Sequence, residues 1–276
     1  MPYDARTLHD LQSITKSVTA ILVGIALDRG WLKSVGAPVL SFFLQYADLR
    51  TLARERITLG DLLSMTSGLF WPDGSILLSA AQDPYRFVLK QPIEAAPGKV
   101  WNYNSGGVEV VGAILKKVSG QPLDQFAKKA LFDPLGITDW QWGRLANGEP
   151  GASWGLRLRP RDLAKIGQFV LNHGIWHGRR IVSAAWIKQM TAPHSNLPGW
   201  ETGFGDGYGY LWWLGRASID DHNIPWVAGF GWGGQCAYVV PGLDLVVVAT
   251  AGAYRTDSYA AGKSALAMTL RAASGH

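Results

Sequence analysis

Ser13 stands three residues ahead of Lys16 in the stretch Leu11-Gln12-Ser13-Ile14-Thr15-Lys16. On a helix such positions are neighbours on one face, with Cβ atoms about 5–6 Å apart. A serine in the first helical turn lies beside unpaired N–H groups and the positive end of the helix dipole, which favour a developing oxyanion. A lysine buried against an apolar helix has its ammonium disfavoured by desolvation, so it can accept the serine proton without help from a histidine. The spacing alone also fits an N-capping serine near a surface lysine, because so short a motif arises by chance. Two other segments bear on the choice. Val-Trp-Asn-Tyr-Asn-Ser-Gly-Gly (100–107) places Tyr103 just before a predicted helix, where a phenol can act as a second acid/base. Trp-Val-Ala-Gly-Phe-Gly-Trp-Gly-Gly-Gln (226–235) is a glycine-rich strand end whose backbone can approach a bound acyl group closely.

Those groups need elements to hold them. Val18, Ile21, Leu22, Ile25 and Ala26 recur at helical spacing within residues 14–29, and the helix is expected to stop near Gly30. Val23 and Leu27 widen its apolar surface, which predicts a central, buried helix. Thr58 with Asp61 reads as a capping box heading a second helix. Further helices are predicted over 84–90, 106–118, 122–132, 160–173 and 183–190, punctuated by Gly and Pro. From residue 203 the pattern turns strand-like, in Gly-Tyr-Leu-Trp-Trp-Leu (209–214), Ile-Pro-Trp-Val-Ala-Gly (224–229), Gln-Cys-Ala-Tyr-Val-Val (235–240) and Leu-Asp-Leu-Val-Val-Val-Ala-Thr (243–250). Pro241-Gly242 makes the last two an antiparallel hairpin. A closing helix is predicted over 257–272. The expected fold is α/β in the α+β sense, an antiparallel sheet flanked by helices plus an all-helical lobe. Residues 1–30 would supply the Ser13 helix of the α/β lobe, 31–202 the helical lobe, and 203–276 the sheet with its closing helix.

Composition narrows the class. The 276 residues are 47% apolar and 17% charged, which excludes a disordered chain and suffices for a sizeable core. The longest apolar run, Ala20 to Leu27, is far short of a membrane span, and the polar first ten residues do not read as a signal peptide. One cysteine, Cys236, excludes an intrachain disulfide and a multi-cysteine zinc site. The net charge of +5 is spread along the chain, and its densest basic stretch, 157–161, lacks interleaved aromatics, so nucleic acid is not an expected partner. Thirteen tryptophans suggest an aromatic-lined cleft.

The chain resembles the serine β-lactamase-related hydrolases: class C β-lactamases, D-alanyl-D-alanine carboxypeptidases, family VIII carboxylesterases and 6-aminohexanoate-dimer hydrolases. The resemblance rests on Ser13-Ile14-Thr15-Lys16-Ser17, on 57–69, 97–107, 132–140 and 155–167, and on 209–213 with 233–248, all in the family's order along nearly the whole chain. It implies a β-lactamase/transpeptidase-like fold with Ser13 as nucleophile, Lys16 as its proton acceptor and Tyr103 as the second acid/base. The oxyanion hole would be the backbone N–H groups of Ser13 and Trp232. Ser105, Tyr210, Gly229, Phe230, Gly231 and Trp232 are the expected substrate-binding positions, and no metal or organic cofactor is implied.

Two departures shape the substrate expectation. The family's second element is often Tyr-x-Asn and here reads Tyr103-Asn104-Ser105. The third, often Lys-Thr-Gly or His-x-Gly, reads Gly229-Phe230-Gly231, which has no cation to meet a substrate carboxylate. Neutral esters or small linear amides are therefore expected ahead of β-lactams. Family members usually carry a helix and one or two strands before the serine helix, whereas twelve residues precede Ser13. An uncovered sheet edge would invite a second copy, so a homodimer is expected. If Met1 is the true start the expected compartment is the cytoplasm, and otherwise the periplasm or the exterior. The rival readings are a β-lactamase or D-alanyl carboxypeptidase, and a catalytically weak ligand-binding or scaffold homologue.

Other motifs are set aside. Gly151-Ala-Ser153-Trp-Gly155 matches the nucleophile elbow of α/β-hydrolases but lacks a strand before it and a helix after it. Gly229, Gly231 and Gly234 match a dinucleotide fingerprint that would need a following helix, and a strand follows. His173 and His177 flank a helix end with no carboxylate between them, a poor metal site. Asp162 reads as a helix N-terminal charge. Trp212 and Trp213 would point to opposite faces of a strand, one into the core and one toward the cleft with Tyr210, Phe230 and Trp232.

Overall fold

The computed structural model describes residues 4–72, 78, 81–198, 204–219, 222–255 and 259–273. The helices that matter here are α1 (Ile14–Asp28), α2 (Leu59–Leu63), α3 (Pro84–Leu89), α4 (Ser105–Ser119), α5 (Leu123–Ala127), α6 (Pro160–Leu171), α7 (Ala184–Met190) and α8 (Ala260–Ala273). The strands that matter here are β1 (His9–Asp10), β2 (Trp140–Trp142), β3 (Leu156–Leu158), β4 (Ser195–Asn196), β5 (Gly207–Tyr208), β6 (Trp213–Ile219), β7 (His222–Gly231), β8 (Gln235–Val240) and β9 (Leu245–Ala249). The last six form one antiparallel sheet in the order β9-β8-β7-β6-β5-β4, and β1-β3-β2 form a small one.

Helix α1 is central because from Ala20 to Leu27 it is apolar on every side. Residues 14 to 26 are all buried, lysine included. Its polar side chains stitch it to loops: Thr19 Oγ1 donates to the Ala152 carbonyl at 2.7 Å, and Ser17 Oγ to that of Leu211 at 2.9 Å. Gly24 lets Trp186 of α7 lie flat on the helix, and the indole Nε1 donates to the Ala20 carbonyl at 3.0 Å.

One face of the sheet packs on α1 and α6, and the other on α8. Side-chain alternation along β7 decides what each face sees. Gly229 meets Ser17 and Ile14 of α1, while Phe230 joins Trp213, Trp226, Tyr238 and Tyr259 on the α8 side. The expected antiparallel β8–β9 hairpin forms, turning at Pro241–Leu243 with Val240 opposite Leu245. Strands β9 and β4 are the two edges of this sheet among the described residues, and β9 is the longer of them.

Two expectations about elements shift. Residues 209–212 are not strand: Leu211 adopts φ 60°, its N–H donates to the Leu63 carbonyl at 3.0 Å, and the strand begins only at Trp213. Helix α6, expected in the helical lobe, lies against β8 and β9, with Gly167 seated on Val246. The expected boundary at 202–203 lies outside the described residues, as do the first two residues of the expected closing helix, 257 and 258. The capping box at Thr58 forms, with Asp61 Oδ2 accepting the Thr58 N–H at 2.8 Å.

Candidate active site

Ser13 is the N-cap of α1 but does not use its hydroxyl as a cap. Its Oγ accepts a hydrogen bond from Lys16 Nζ at 2.8 Å instead. Gln12, just ahead of it, adopts φ 50°, a conformation that non-glycine residues rarely take. Asp10 holds it there, accepting the Gln12 N–H at 3.0 Å on one carboxylate oxygen and the side-chain amide at 2.9 Å on the other. The N–H groups of Ile14, Thr15 and Lys16 turn back to the carbonyls of Leu11, Gln12 and Ser13, which starts the helix at the serine.

Lys16 is 2% exposed. Besides Ser13 Oγ, its Nζ donates to the Ser153 carbonyl at 3.0 Å, and it lies 4.9 Å from the centre of the Tyr103 ring. Tyr103 is half-buried, stacked on Trp213 at 5.9 Å and tilted against Trp101 at 6.1 Å. Its segment is tied to the loop after α2 by Asn102 N–H donating to the Met65 carbonyl at 2.8 Å. Asn104 then caps α4, its Oδ1 accepting the Gly107 N–H at 2.7 Å, so its carbonyl oxygen is committed to the helix. Ser105, the first residue of α4, is half-buried beside it. Burial pushes the Tyr208 phenol well above its usual range, and the neighbouring Tyr103 adds to the rise.

The strand end comes close to the serine. A methyl on Gly231 would overlap the Leu11 carbonyl oxygen, so only glycine allows β7 to reach the residue two before Ser13. Trp232 follows with its indole 56% exposed and set edge-on against Tyr254 at 5.1 Å. Gly229 abuts α1 four residues past the serine, its α-carbon facing Ser17.

Two expected side chains fall elsewhere. Phe230, 6% exposed, packs among aromatic rings on the α8 face because it alternates with the two glycines that face α1. Tyr210 is stacked on His194 at 3.7 Å and on Trp186 at 5.7 Å. Trp186 covers Gly24, eleven residues along α1 from Ser13 and so roughly 16 Å away. Trp212 is core at 1% exposed, and Trp213 is the one of the pair that meets Tyr103.

The discounted motifs have structural places. Ser153 lies in a loop, 2% exposed, its Oγ donating to Glu109 Oε1 at 2.5 Å. His173 and His177 both occupy positive-φ turn positions, and no cluster of metal-ligating side chains occurs among the described residues. Asp162 is ion-paired with Arg159 at 2.6 Å and Lys165 at 2.8 Å. Glu109 and the Ser153 carbonyl escaped the sequence reading. Their only trace was the run of small residues, Gly106, Gly112 and Ala113, three or four positions from Glu109, which marks a tightly packed helix face.

Around Ser13 the chain thus brings together a hydroxyl at a helix start, a buried amine hydrogen-bonded to it and a flanking phenol. The Beta-lactamase family matches residues 1–267, and the chain belongs to it. It is similar to esterase EstB of Burkholderia gladioli, 30% identical over 155 residues that cover 50% of this chain and 39% of the relative. It is also similar to the 6-aminohexanoate-dimer hydrolase of Paenarthrobacter ureafaciens, at 28% identity over 60% of this chain and 42% of the relative. The matched part is thus less than half the length of either. A family VIII carboxylesterase shares the fold at TM-score 0.76 and 18% identity, covering 96% of this chain and 83% of that one. The octameric penicillin-binding protein homologue of Pyrococcus abyssi does so at TM-score 0.73 and 25% identity, covering 98% and 68%. No helix among the described residues is long and apolar enough to cross a membrane.

Proposed function

We propose that the protein hydrolyses esters or small linear amides through an acyl-enzyme on Ser13. The observation that carries this reading is the 2.8 Å hydrogen bond from Lys16 Nζ to Ser13 Oγ in a buried setting. In its neutral form Lys16 accepts the Ser13 proton as Oγ attacks the substrate carbonyl. The backbone N–H groups of Ser13 and Trp232 hold the tetrahedral oxyanion. Tyr103 passes a proton to the departing alcohol or amine, and water then cleaves the acyl-serine ester by the same route in reverse. Ser105 and the exposed Trp232 indole border the acyl group.

The substrate preference rests on position 229. A methyl there would stand 2.9 Å from Ser17 Oγ and 3.3 Å from Ile14 Cγ2, so any side chain at 229 would have to displace Ser17, and the glycine itself supplies no cation. Esters and amides without a carboxylate beside the scissile bond suit such a site better than β-lactams or D-alanyl peptides.

A p-nitrophenyl ester of a short acid tests the proposal. The wild type is expected to release a burst of nitrophenol, with the acyl group recovered on Ser13 by mass spectrometry. Ser13→Ala should give no burst, and Lys16→Ala or Tyr103→Phe should slow acylation by about 10²–10⁴-fold. Absence of covalent labelling on Ser13 by every acylating probe would leave a ligand-binding homologue. Rapid nitrocefin turnover without ester turnover would reverse the substrate order.

A further inference from the structure

Among the described residues three carboxylates are almost wholly buried: Asp124, Asp162 and Glu109. The first two face guanidinium or ammonium groups, Arg144 for Asp124 and Arg159 with Lys165 for Asp162. Glu109, 1% exposed on α4, accepts hydrogen bonds from neutral groups of one loop. Its Oε2 takes the Ala152 N–H at 2.7 Å, and its Oε1 takes the Ser153 N–H at 3.0 Å and the Ser153 hydroxyl at 2.5 Å. The carbonyl of that same Ser153 receives Lys16 Nζ at 3.0 Å. Gly112, three residues further along α4, lets the loop come this near, since a methyl there would lie 2.6 Å from the Ala152 Cβ.

We propose that Glu109 is a positioning residue for the Ser13–Lys16 pair. Its carboxylate clamps loop 151–155 so that the Ser153 carbonyl holds the lysine, and its negative charge, one peptide unit away, acts on the lysine's protonation. The proposal rests on the reading of Ser13 as nucleophile and Lys16 as its base.

The geometry favours an ionised Glu109, because two of its three partners are backbone N–H groups, which can only donate. Burial pushes its carboxyl above the usual range, and the three donors and the Lys16 charge oppose that rise. The titratable groups on neighbouring elements are Lys16 on α1, Tyr85 on α3 and, across the lysine, Tyr103. An anion near Lys16 favours its ammonium form, so removing the charge should make the neutral, reactive amine available at lower pH.

The test follows covalent inactivation by a fluorophosphonate across pH, alongside thermal melting, in wild type, Glu109→Gln, Glu109→Asp and Ser153→Ala. The acid limb of the rate profile is expected to move about one pH unit lower in Glu109→Gln, the size that an opposite charge within several ångströms produces. It should stay in place in Glu109→Asp and Ser153→Ala, which keep the charge. A merely structural role would lower melting temperature and rate while leaving the limb where it is, and an unmoved limb in Glu109→Gln overturns the proposal. Should Glu109→Gln fail to fold, the ¹³C shift of the wild-type Glu109 carboxyl answers instead. An ionised carboxyl across the pH range of the limb supports the proposal, and a protonated one sinks it. Ser13→Ala separates the two layers. Labelling that persists in it removes the Ser13 reading, whereas Ser13-dependent labelling with an unmoved Glu109→Gln limb removes only the role of Glu109.

Discussion

An alanine at position 229 would press its methyl against Ser17, whose hydroxyl is already bonded to the Leu211 carbonyl. Gly229→Ala is expected to lower stability by roughly 1–3 kcal/mol, the usual cost of overpacking, read as a fall of several degrees in Tm. Gly229→Lys should cost more and confer no nitrocefin turnover; a stable, β-lactam-hydrolysing Gly229→Lys protein would defeat the packing account of substrate choice. The residues brought together around Ser13 were legible because their types and spacing carry chemistry: Ser13 and Lys16 lie one turn apart, and Tyr103 stands before a helix. Glu109 was not legible. Set between Val108 and Val110, it has the pattern of a solvated position, and only the approach of loop 151–155 makes it buried. Phe230 was misplaced for a related reason: glycines on either side hide which face of a strand a residue occupies until the partner helix is known.

Among the elements, α1 has its fate written in its composition, since a helix apolar on all sides must be interior. Its contact with α7 depends on one hydrogen atom. Gly24→Ala would drive a methyl into the Trp186 indole, and the expected result is a marked loss of stability, with Tm falling and the indole displaced from its bond to Ala20. Fluorescence-monitored melting checks this, and an unchanged Tm would contradict it. The turn at 209–212 shows what local pattern cannot give. Gly-Tyr-Leu-Trp-Trp-Leu has strand-like residues, yet Leu211 is pinned between the Leu63 carbonyl and the Ser17 hydroxyl, contacts about 150 and 190 residues distant in sequence. Helix α6 was assigned to the wrong neighbourhood on the same ground, because chain order says little about which layer a helix joins.

For the molecule as a whole, strand β9 is the longer of the main sheet's two edge strands, and its Leu-Val-Val-Val-Ala sequence carries no charge. Edges of that kind pair with other chains unless something blocks them. Dimers or larger species are expected by light scattering, with Val248→Lys, a charge on the edge, shifting them toward monomer. A monodisperse wild-type monomer would refute the expectation. Helix α1 has a broader consequence. The side chains that anchor it, Lys16, Ser17 and Thr19, end on the carbonyls of Ser153, Leu211 and Ala152, so what secures the helix also aligns the proposed nucleophile and base. Enzymes often sacrifice robustness for activity, yet here a lineage that loosened this helix would surrender both together. On the proposed function, adaptation to new acyl groups is steered outward, to the rim at Trp232 and Tyr254, where change leaves the interior untouched.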